Sequence, residues 1–123
     1  MSGVQPWARR LDTYLVGADM SDDVLGDWVD CSDVVCAGFH VEWEAVALTA
    51  GTLSIEGTND PTQEKFQEMT ISVSHGTWPT VGATAAGAIV LVQNPPRFLR
   101  LKYTQSAGGS YDQMDAWVNL RSA

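Results

Sequence analysis

The sequence predicts an all-β protein, an antiparallel β-sandwich of jelly-roll-like form with seven or eight strands. Three observations predict it. Several short segments alternate between apolar and polar residues, turn-forming residues separate these segments, and no stretch has helical spacing over the length that a stable helix needs. A chain of 123 residues, 45% of them hydrophobic, is long enough for one core. We therefore expect a single sandwich domain over residues 21–123, preceded by residues 1–20 as an N-terminal arm or first strand.

The N-terminal part of the chain has the weaker strand signals. One strand is predicted over residues 11–16 and another around residues 28–29. Before them, MSGVQPWARRL places a tryptophan beside two arginines, which makes this segment a candidate tether to a neighbouring subunit. A frayed or self-packed terminus is an equally good interpretation. The candidate contact residues here are Trp7, Arg9 and Arg10.

The clearest alternation lies in AGFHVEWEAV, residues 37–46. Successive side chains of a strand point to opposite faces, so this pattern predicts one buried face and one exposed face. The buried face comprises Phe39, Val41, Trp43 and Ala45, and the exposed face comprises His40, Glu42 and Glu44. The next strand, GTLSIEG, repeats the pattern with Leu53 and Ile55 inward and Thr52, Ser54 and Glu56 outward.

The middle of the chain is predicted to mix strands with long connections. The TNDP segment is a strong turn signal, and residues 62–69 are predicted as a loop with room for one 3₁₀ turn. MTISVSHG then places Met69, Ile71 and Val73 on one face of a strand. Residues 76–88 are predicted to cross between the sheets, and AIVLVQ, apolar on both faces, indicates a central strand covered on each side.

The last two strands, RFLRLKYT and QMDAWVNL, complete the set. Alternation predicts that their inward residues are Leu99, Leu101, Tyr103, Met114, Ala116, Val118 and Leu120. It places Trp117 outward, which is unusual for so large an apolar ring. Arg100 and Lys102 also point outward. They are predicted either to pair with Glu42 and Glu44 across a shared sheet or to face acidic groups of a partner subunit.

The charge of the chain is strongly acidic and unevenly distributed. The formal net charge is −8, and residues 12–68 hold thirteen acidic side chains against one lysine, whereas residues 97–121 hold four basic and two acidic ones. Such an asymmetry favours self-association or docking on a larger assembly. The acidic excess argues against a nucleic-acid partner. No long apolar run is present, so we expect no membrane partner and no signal peptide.

No catalytic site is predicted. A nucleophile needs an oriented base, and the two histidines are His40, outward on a strand, and His75, in a turn beside Ser74. Because adjacent strand residues point to opposite faces, Ser74 and His75 are not expected to form a dyad. Carboxylates on one strand face likewise do not make the facing pair that a glycosidase needs.

No cofactor or metal site is predicted either. Cys31 and Cys36 are expected to be small buried thiols, with a disulfide across the short loop as the alternative, because a zinc site would need two more well-spaced soft ligands. The acids of residues 19–33 do not have the spacing of a calcium-binding EF-hand loop, so a solvated loop is the favoured interpretation.

The order of several segments resembles that of small β-sandwich proteins encoded in bacteriophage structural-gene clusters. These segments are DMSDD, DWVDCSD, VEW, GTLSIEGTNDP and RFLRLKYTQSAGG, and the resemblance covers residues 19–120. A first pattern before a loop is matched by Gly51, Leu53, Ile55, Thr58, Asn59 and Asp60. A second pattern before the last strand is matched by Leu99, Arg100, Leu101, Tyr103, Thr104 and Gly108. Both consist of turn residues and inward apolar residues, so they describe the architecture more than the function.

The resemblance implies a non-enzymatic virion protein that decorates the capsid or forms part of a head spike or fibre. Its partners would be copies of itself and other virion proteins such as the major capsid protein, and it would assemble in the cytoplasm of the bacterial host. The outward residues Arg100, Lys102 and Trp117 join the arm residues as candidate subunit contacts.

A carbohydrate-binding module is the alternative. Sandwiches of this size bind sugars on exposed aromatic rings, and Trp78 and Tyr111 lie on predicted loops. A structural subunit is expected to bury Trp78, Trp117 or the face of Arg100 against another protein. A sugar-binding module is expected to leave two aromatic rings side by side in an open groove.

Overall fold

The computed structural model describes residues 9–44, 49–82, 86–108 and 112–122. All regular secondary structure in these ranges is β-strand. The strands are β1 (Arg9–Asp19), β2 (Val24–Leu25), β3 (Val29–Asp30), β4 (Val34–Glu44), β5 (Ala50–Thr58), β6 (Gln67–Glu68), β7 (Ser72–Gly76), β8 (Thr80–Val81), β9 (Ala86–Gln93), β10 (Phe98–Ala107) and β11 (Gln113–Ser122).

The strands form two antiparallel sheets that pack face to face as a β-sandwich, as the sequence predicted. The five-stranded sheet has the order β1-β11-β4-β9-β7, and the six-stranded sheet has the order β2-β10-β5-β6, with β3 beside β10 and β8 beside β5. The alternating apolar residues of both inner faces form one core, which includes Phe39, Val41, Trp43, Leu53, Ile55, Val90, Leu99, Leu101, Tyr103, Met114, Val118 and Leu120. Burial of these side chains is the main stabilising contribution.

The strand count predicted from the sequence was wrong: the described residues contain eleven strands, not seven or eight. Seven of them have five residues or more, and the other four, β2, β3, β6 and β8, have two residues each. Period-two alternation cannot be recognised in two residues, so these short ladders were not visible in the sequence. All four lie in the six-stranded sheet.

Two further expectations need correction. The AIVLVQ strand, β9, was expected to be covered on both faces, but only the face of Val90 is buried in the core, and Ile89 and Leu91 stay partly exposed on the other side. Val73 pairs with Val90 across the ladder and shares its face, yet it is largely exposed because β7 is the last strand of its sheet. The inward position predicted for Ala45 lies outside the described residues.

The connections behave largely as predicted. The segment between β7 and β9 crosses from one sheet to the other, because β8 within it pairs with β5 of the six-stranded sheet. The segment from residue 62 to residue 69 is a loop that ends in β6, and the structure assigns no 3₁₀ turn to it. The first predicted strand is longer than expected and forms one edge of the five-stranded sheet.

Tyr14 on β1 links the two sheets. Its hydroxyl donates to the carbonyl of Asp27 at 2.6 Å and accepts the N–H of Leu101 at 3.2 Å, while its ring packs edge-to-face on Phe39. Burial raises the pKa of Tyr14 to about 12. A β-carbon on Gly26 would overlap the Tyr14 hydroxyl, so the tyrosine reaches across only because residue 26 is glycine.

The acidic loops are organised by side-chain turns, which fits the solvated-loop interpretation. Each of three aspartates accepts hydrogen bonds from the backbone N–H and the hydroxyl of the residue two positions later. The pairs are Asp19 with Ser21, Asp30 with Ser32 and Asp60 with Thr62. These hydrogen bonds favour the charged form and lower the pKa of each of the three carboxyl groups.

Candidate functional site

The outer face of the six-stranded sheet is closed by a cluster around Arg100. The Arg100 Nε donates to Glu56 Oε1 at 2.8 Å across the β10–β5 ladder. The guanidinium carbon lies 4.2 Å from the ring centroid of Trp28 and 4.6 Å from that of Phe66, so two aromatic rings cover it. The Arg100 and Glu56 side chains are only 13% and 10% exposed. We call Arg100, Glu56, Trp28 and Phe66 the arginine cluster.

The arginine cluster corrects the predicted charge pairing. Arg100 pairs across a sheet, as one of the two alternatives held, but its partner is Glu56, because Glu42 and Glu44 lie on β4 of the other sheet. Lys102 lies 3.8 Å from the second oxygen of Glu56. The basic and acidic segments are therefore neighbours in space, and the charge asymmetry along the chain does not make separate flanks here.

The outer face of the five-stranded sheet is open and partly apolar. Trp117 on β11 and His40 on β4 are direct cross-strand partners, and their ring centroids are 4.9 Å apart at an interplanar angle of 41°. Trp117 is 39% exposed. Beside this ring pair lies a groove of about 410 Å³, which we call the Trp117 groove. Its lining comprises Leu11, Asp12, Thr13, Gly38, Phe39, His40, Ile89, Leu91, Trp117, Val118 and Asn119.

The register of the strands explains why these residues meet. One cross-strand row contains Thr13, Trp117, His40 and Ile89, and the next contains Leu11, Asn119, Gly38 and Leu91. Gly38 contributes no side chain to the second row, and a β-carbon there would already lie 3.3 Å from Leu91 Cδ2. The surface of this row is therefore depressed at Gly38, between the side chains of Asn119 and Leu91.

A second depression of about 470 Å³ lies on the other side of Trp117 and is acidic. It is lined by Glu42, Trp43, Glu44, Ala86, Gly87, Asp115 and Trp117. Glu42 and Asp115 are directly opposite each other across the β4–β11 ladder, an arrangement that costs stability because like charges repel. Each has one favourable contact: Glu42 lies 2.9 Å from His40 Nε2, and Asp115 accepts the backbone N–H of Gly17 at 2.8 Å.

One polar atom of the groove has no partner. The Oδ1 of Asn119, on the groove lining, is buried and accepts no hydrogen bond from the described residues. A buried carbonyl oxygen without a donor costs about 1–3 kcal/mol. Because this oxygen is not exposed to solvent, a molecule bound in the groove reaches it only if the Asn119 side chain rotates.

The remaining predicted contact residues are dispersed. Arg10 pairs with Asp12 at 3.1 Å and donates to the carbonyl of Asp30 at 3.3 Å. The backbone of Arg9 pairs with that of Arg121. Trp78 packs partly buried against the core, so it does not stand free on its loop. The predicted sites Trp7 and Tyr111 lie outside the described residues.

The bulge in β7 brings one unexpected pair together. Ser74 Oγ and His75 Nδ1 are 2.9 Å apart, although adjacent strand residues were expected to point to opposite faces. The register shift between Val73 and His75 breaks the alternation at this point, which explains the failed expectation. Both side chains are exposed, and His75 makes no second hydrogen bond within the described part of the chain.

Both cysteines are free thiols. The absence of a disulfide between them agrees with the thiol interpretation, but only Cys31 is buried as expected, and Cys36 is half-buried. Burial raises the pKa of the Cys31 thiol to about 11. Among the described residues, no three His, Cys, Asp or Glu side chains cluster closely enough to hold a metal ion, and no helix is long and apolar enough to cross a membrane.

Sequence reasoning found Trp117 but missed its surroundings. The groove depends on residues from four strands, and their register is a tertiary property that alternation alone does not give. One signal was present: Gly38 and Gly87 lie inside strands, where glycine is unfavourable and marks a close approach or an open site.

No family model matches this chain, and no curated protein and no solved structure is significantly similar to it.

Proposed function

We propose that this chain is a non-enzymatic structural subunit of a bacteriophage particle. It decorates the capsid or forms part of a head spike or fibre, and it binds copies of itself and other virion proteins such as the major capsid protein. The observation that carries this proposal is the open edge of β1. Leu11 and Val16 on this strand are 68% and 80% exposed, so the edge offers apolar side chains to a partner.

The edge of β1 is suited to a protein contact. The strand is eleven residues long, and among the described residues it pairs only with β11, with two register shifts, so its other edge offers backbone groups to another strand or a packed surface. The strand contains two basic and two acidic residues, and two of them, Arg10 and Asp12, pair with each other, so the edge presents little net charge to a partner. Of the predicted arm contacts, Arg9 and Arg10 are the first two residues of this strand, and Trp7 precedes them in the chain.

The geometry of the described residues supports binding better than catalysis. The exposed Ser74 and His75 pair has no acidic group hydrogen-bonded to the histidine in the described part of the chain, whereas a serine nucleophile is normally activated by a base that a third group orients. Glu42 and Asp115 lie on one continuous sheet face, not on opposite walls of a cleft.

The test is the solution mass of the protein, measured by light scattering over a wide range of concentration. We expect the wild type to be a defined oligomer and the Val16→Lys variant to be a monomer, because a charge at the centre of an apolar contact is costly to bury. Leu25→Lys is the matched control, since Leu25 is 54% exposed but lies on the short β2 of the other sheet. It should keep the wild-type mass.

Two outcomes would contradict the proposal. One is a wild-type protein that stays monomeric at every concentration. The other is a Val16→Lys variant with the same mass as the wild type and the Leu25→Lys control.

A further inference from the structure

We propose that the Trp117 groove is a binding site for neutral glycans, with Trp117 and His40 as the stacking surface. This inference goes beyond the structural role and is tested separately from it: Leu11 of the β1 edge lines the groove, but Val16, the position substituted in the oligomer test, does not. It also differs from a site on loop aromatics, since Trp78 is packed against the core.

The aromatic geometry suits a sugar ring. A pyranose presents an apolar C–H face to an aromatic ring and hydroxyl groups around its rim. Trp117 is partly exposed, and His40 lies against it with a tilt of 41° and a centroid distance of 4.9 Å, so the two rings make a continuous surface. The adjoining groove of about 410 Å³ falls in the range of ~300–1,000 Å³ that small-molecule sites occupy.

Polar side chains line the groove as well as apolar ones. Asp12, Thr13 and Asn119 line the groove beside the ring pair. A sugar hydroxyl is both donor and acceptor, so it suits a carboxylate such as Asp12 and a hydroxyl such as Thr13 without introducing a charge. Glu42 and Asp115 continue the polar rim on the far side of Trp117, where a second sugar unit of an oligosaccharide would lie.

The charges of the face select among ligands. Glu42, Glu44 and Asp115 line the second depression, so a sialylated or sulfated glycan would meet like charge there. The repulsion between Glu42 and Asp115 also disfavours a second copy of this chain on the same face, because a self-complementary contact would bring more carboxylates together. We therefore assign the groove to a neutral oligosaccharide and not to another subunit.

The test uses four probes in isothermal titration calorimetry: cellohexaose, maltohexaose, hexa-N-acetylchitohexaose and sialyllactose. We expect at least one of the three neutral oligosaccharides to bind, and sialyllactose to bind at least about tenfold more weakly than that probe. Trp117→Ala and His40→Ala should each weaken binding by about tenfold or more, and Leu25→Ala, a matched exposed position on the other sheet, should leave it unchanged.

Two conservative variants separate stacking from simple apolar contact. Trp117→Tyr should keep most of the affinity because it keeps an aromatic face, whereas Trp117→Leu should lose it despite being apolar. If both variants bind equally well, or if none of the neutral probes binds the folded wild-type protein, the glycan assignment is wrong. A change of oligomeric mass in Trp117→Ala but not in Val16→Lys would assign the face to a second copy instead.

Discussion

The outer faces of the two sheets both carry aromatic side chains, but these side chains are packed differently. On the six-stranded sheet, two aromatic rings cover an arginine that Glu56 neutralises, so the ion pair is largely buried, although Phe66 and Leu25 remain 40% and 54% exposed; we call this the closed face. On the five-stranded sheet, Trp117 and His40 contact each other at a tilt of 41°, with carboxylates nearby and no arginine over them among the described residues, so the face stays open. An aromatic ring on a sheet exterior is therefore a structural residue where a charge-paired arginine covers it and a candidate contact residue where nothing does.

The difference originates in the neighbouring loops. The closed face is covered by chain segments that carry Trp28 and Phe66, whose ring centroids are 5.9 Å apart. Over the Trp117 groove, the described residues include no comparable covering segment, and Gly38 lowers the surface further. Stability should depend strongly on the closed face and weakly on the open one.

The largest effect is expected from Arg100→Ala. Removal of the guanidinium leaves Glu56, 10% exposed, without its main partner and removes the contact between two rings, so we expect a loss of about 3 kcal/mol in the free energy of unfolding. Urea denaturation monitored by circular dichroism measures it. Arg97→Ala is the control: Arg97 is exposed and lies 5.0 Å from the ring of Phe98, so its loss should cost less than about 1 kcal/mol.

A double variant shows what the ion pair itself contributes. Arg100→Met combined with Glu56→Leu replaces a buried pair by apolar side chains of similar size, and such replacements are often neutral or stabilising. We expect most of the stability lost in Arg100→Ala to be recovered. A double variant as unstable as the single one would mean that the charges, not the packing, hold this face closed.

A smaller effect is expected from the same substitution made on both faces. Trp28→Ala should cost about 2 kcal/mol because the ring is half-buried against Arg100 and Phe66, and Trp117→Ala should cost less than about 1 kcal/mol. Urea denaturation of the two variants side by side measures the difference. Equal losses would mean that the open face is as structural as the closed one.

The sandwich itself was predictable from local patterns, and the two faces were not. Alternation in strands such as β4, β10 and β11 requires a buried face whatever the partner strand, so the inward residues of these strands were correct. The partner of Arg100 depended on which strand lies beside β10, and nothing local distinguishes Glu56 from Glu42 as that neighbour. The same limit applies to the Trp117 groove, whose lining residues come from four strands joined only by register.

Local rules also failed where the backbone departs from regularity. The bulge in β7 brings the side chains of Ser74 and His75 into contact, although alternation predicts that they point to opposite faces. The edge position of β7 leaves Val73 exposed although it points inward. Edges and bulges are decided by the ends of a sheet, which a single segment does not reveal.

The smallest expected effect is a dependence of the closed face on acid, through Asp60. Its carboxylate accepts the N–H groups of Thr62, Glu64 and Lys65, and so shapes the turn that leads to Phe66 over Arg100. These hydrogen bonds lower the pKa of Asp60 below its ordinary value of 3.8. A group whose pKa is lower in the folded state contributes stability above its unfolded pKa, and this contribution is lost as the pH falls through the folded pKa.

Asp60→Asn should therefore be less stable than the wild type near neutral pH, and the gap in the free energy of unfolding should close as the pH falls below about 4. Urea denaturation of both proteins at a series of pH values measures the gap. Asp115→Asn, a substitution on the open face, is the control. The aromatic proton shifts of Phe66 report its packing on Arg100, and Asp115→Asn should leave them unchanged. If the gap between wild type and Asp60→Asn is constant with pH, the charge of Asp60 has no part in holding the turn, and Phe66 covers Arg100 by apolar packing alone.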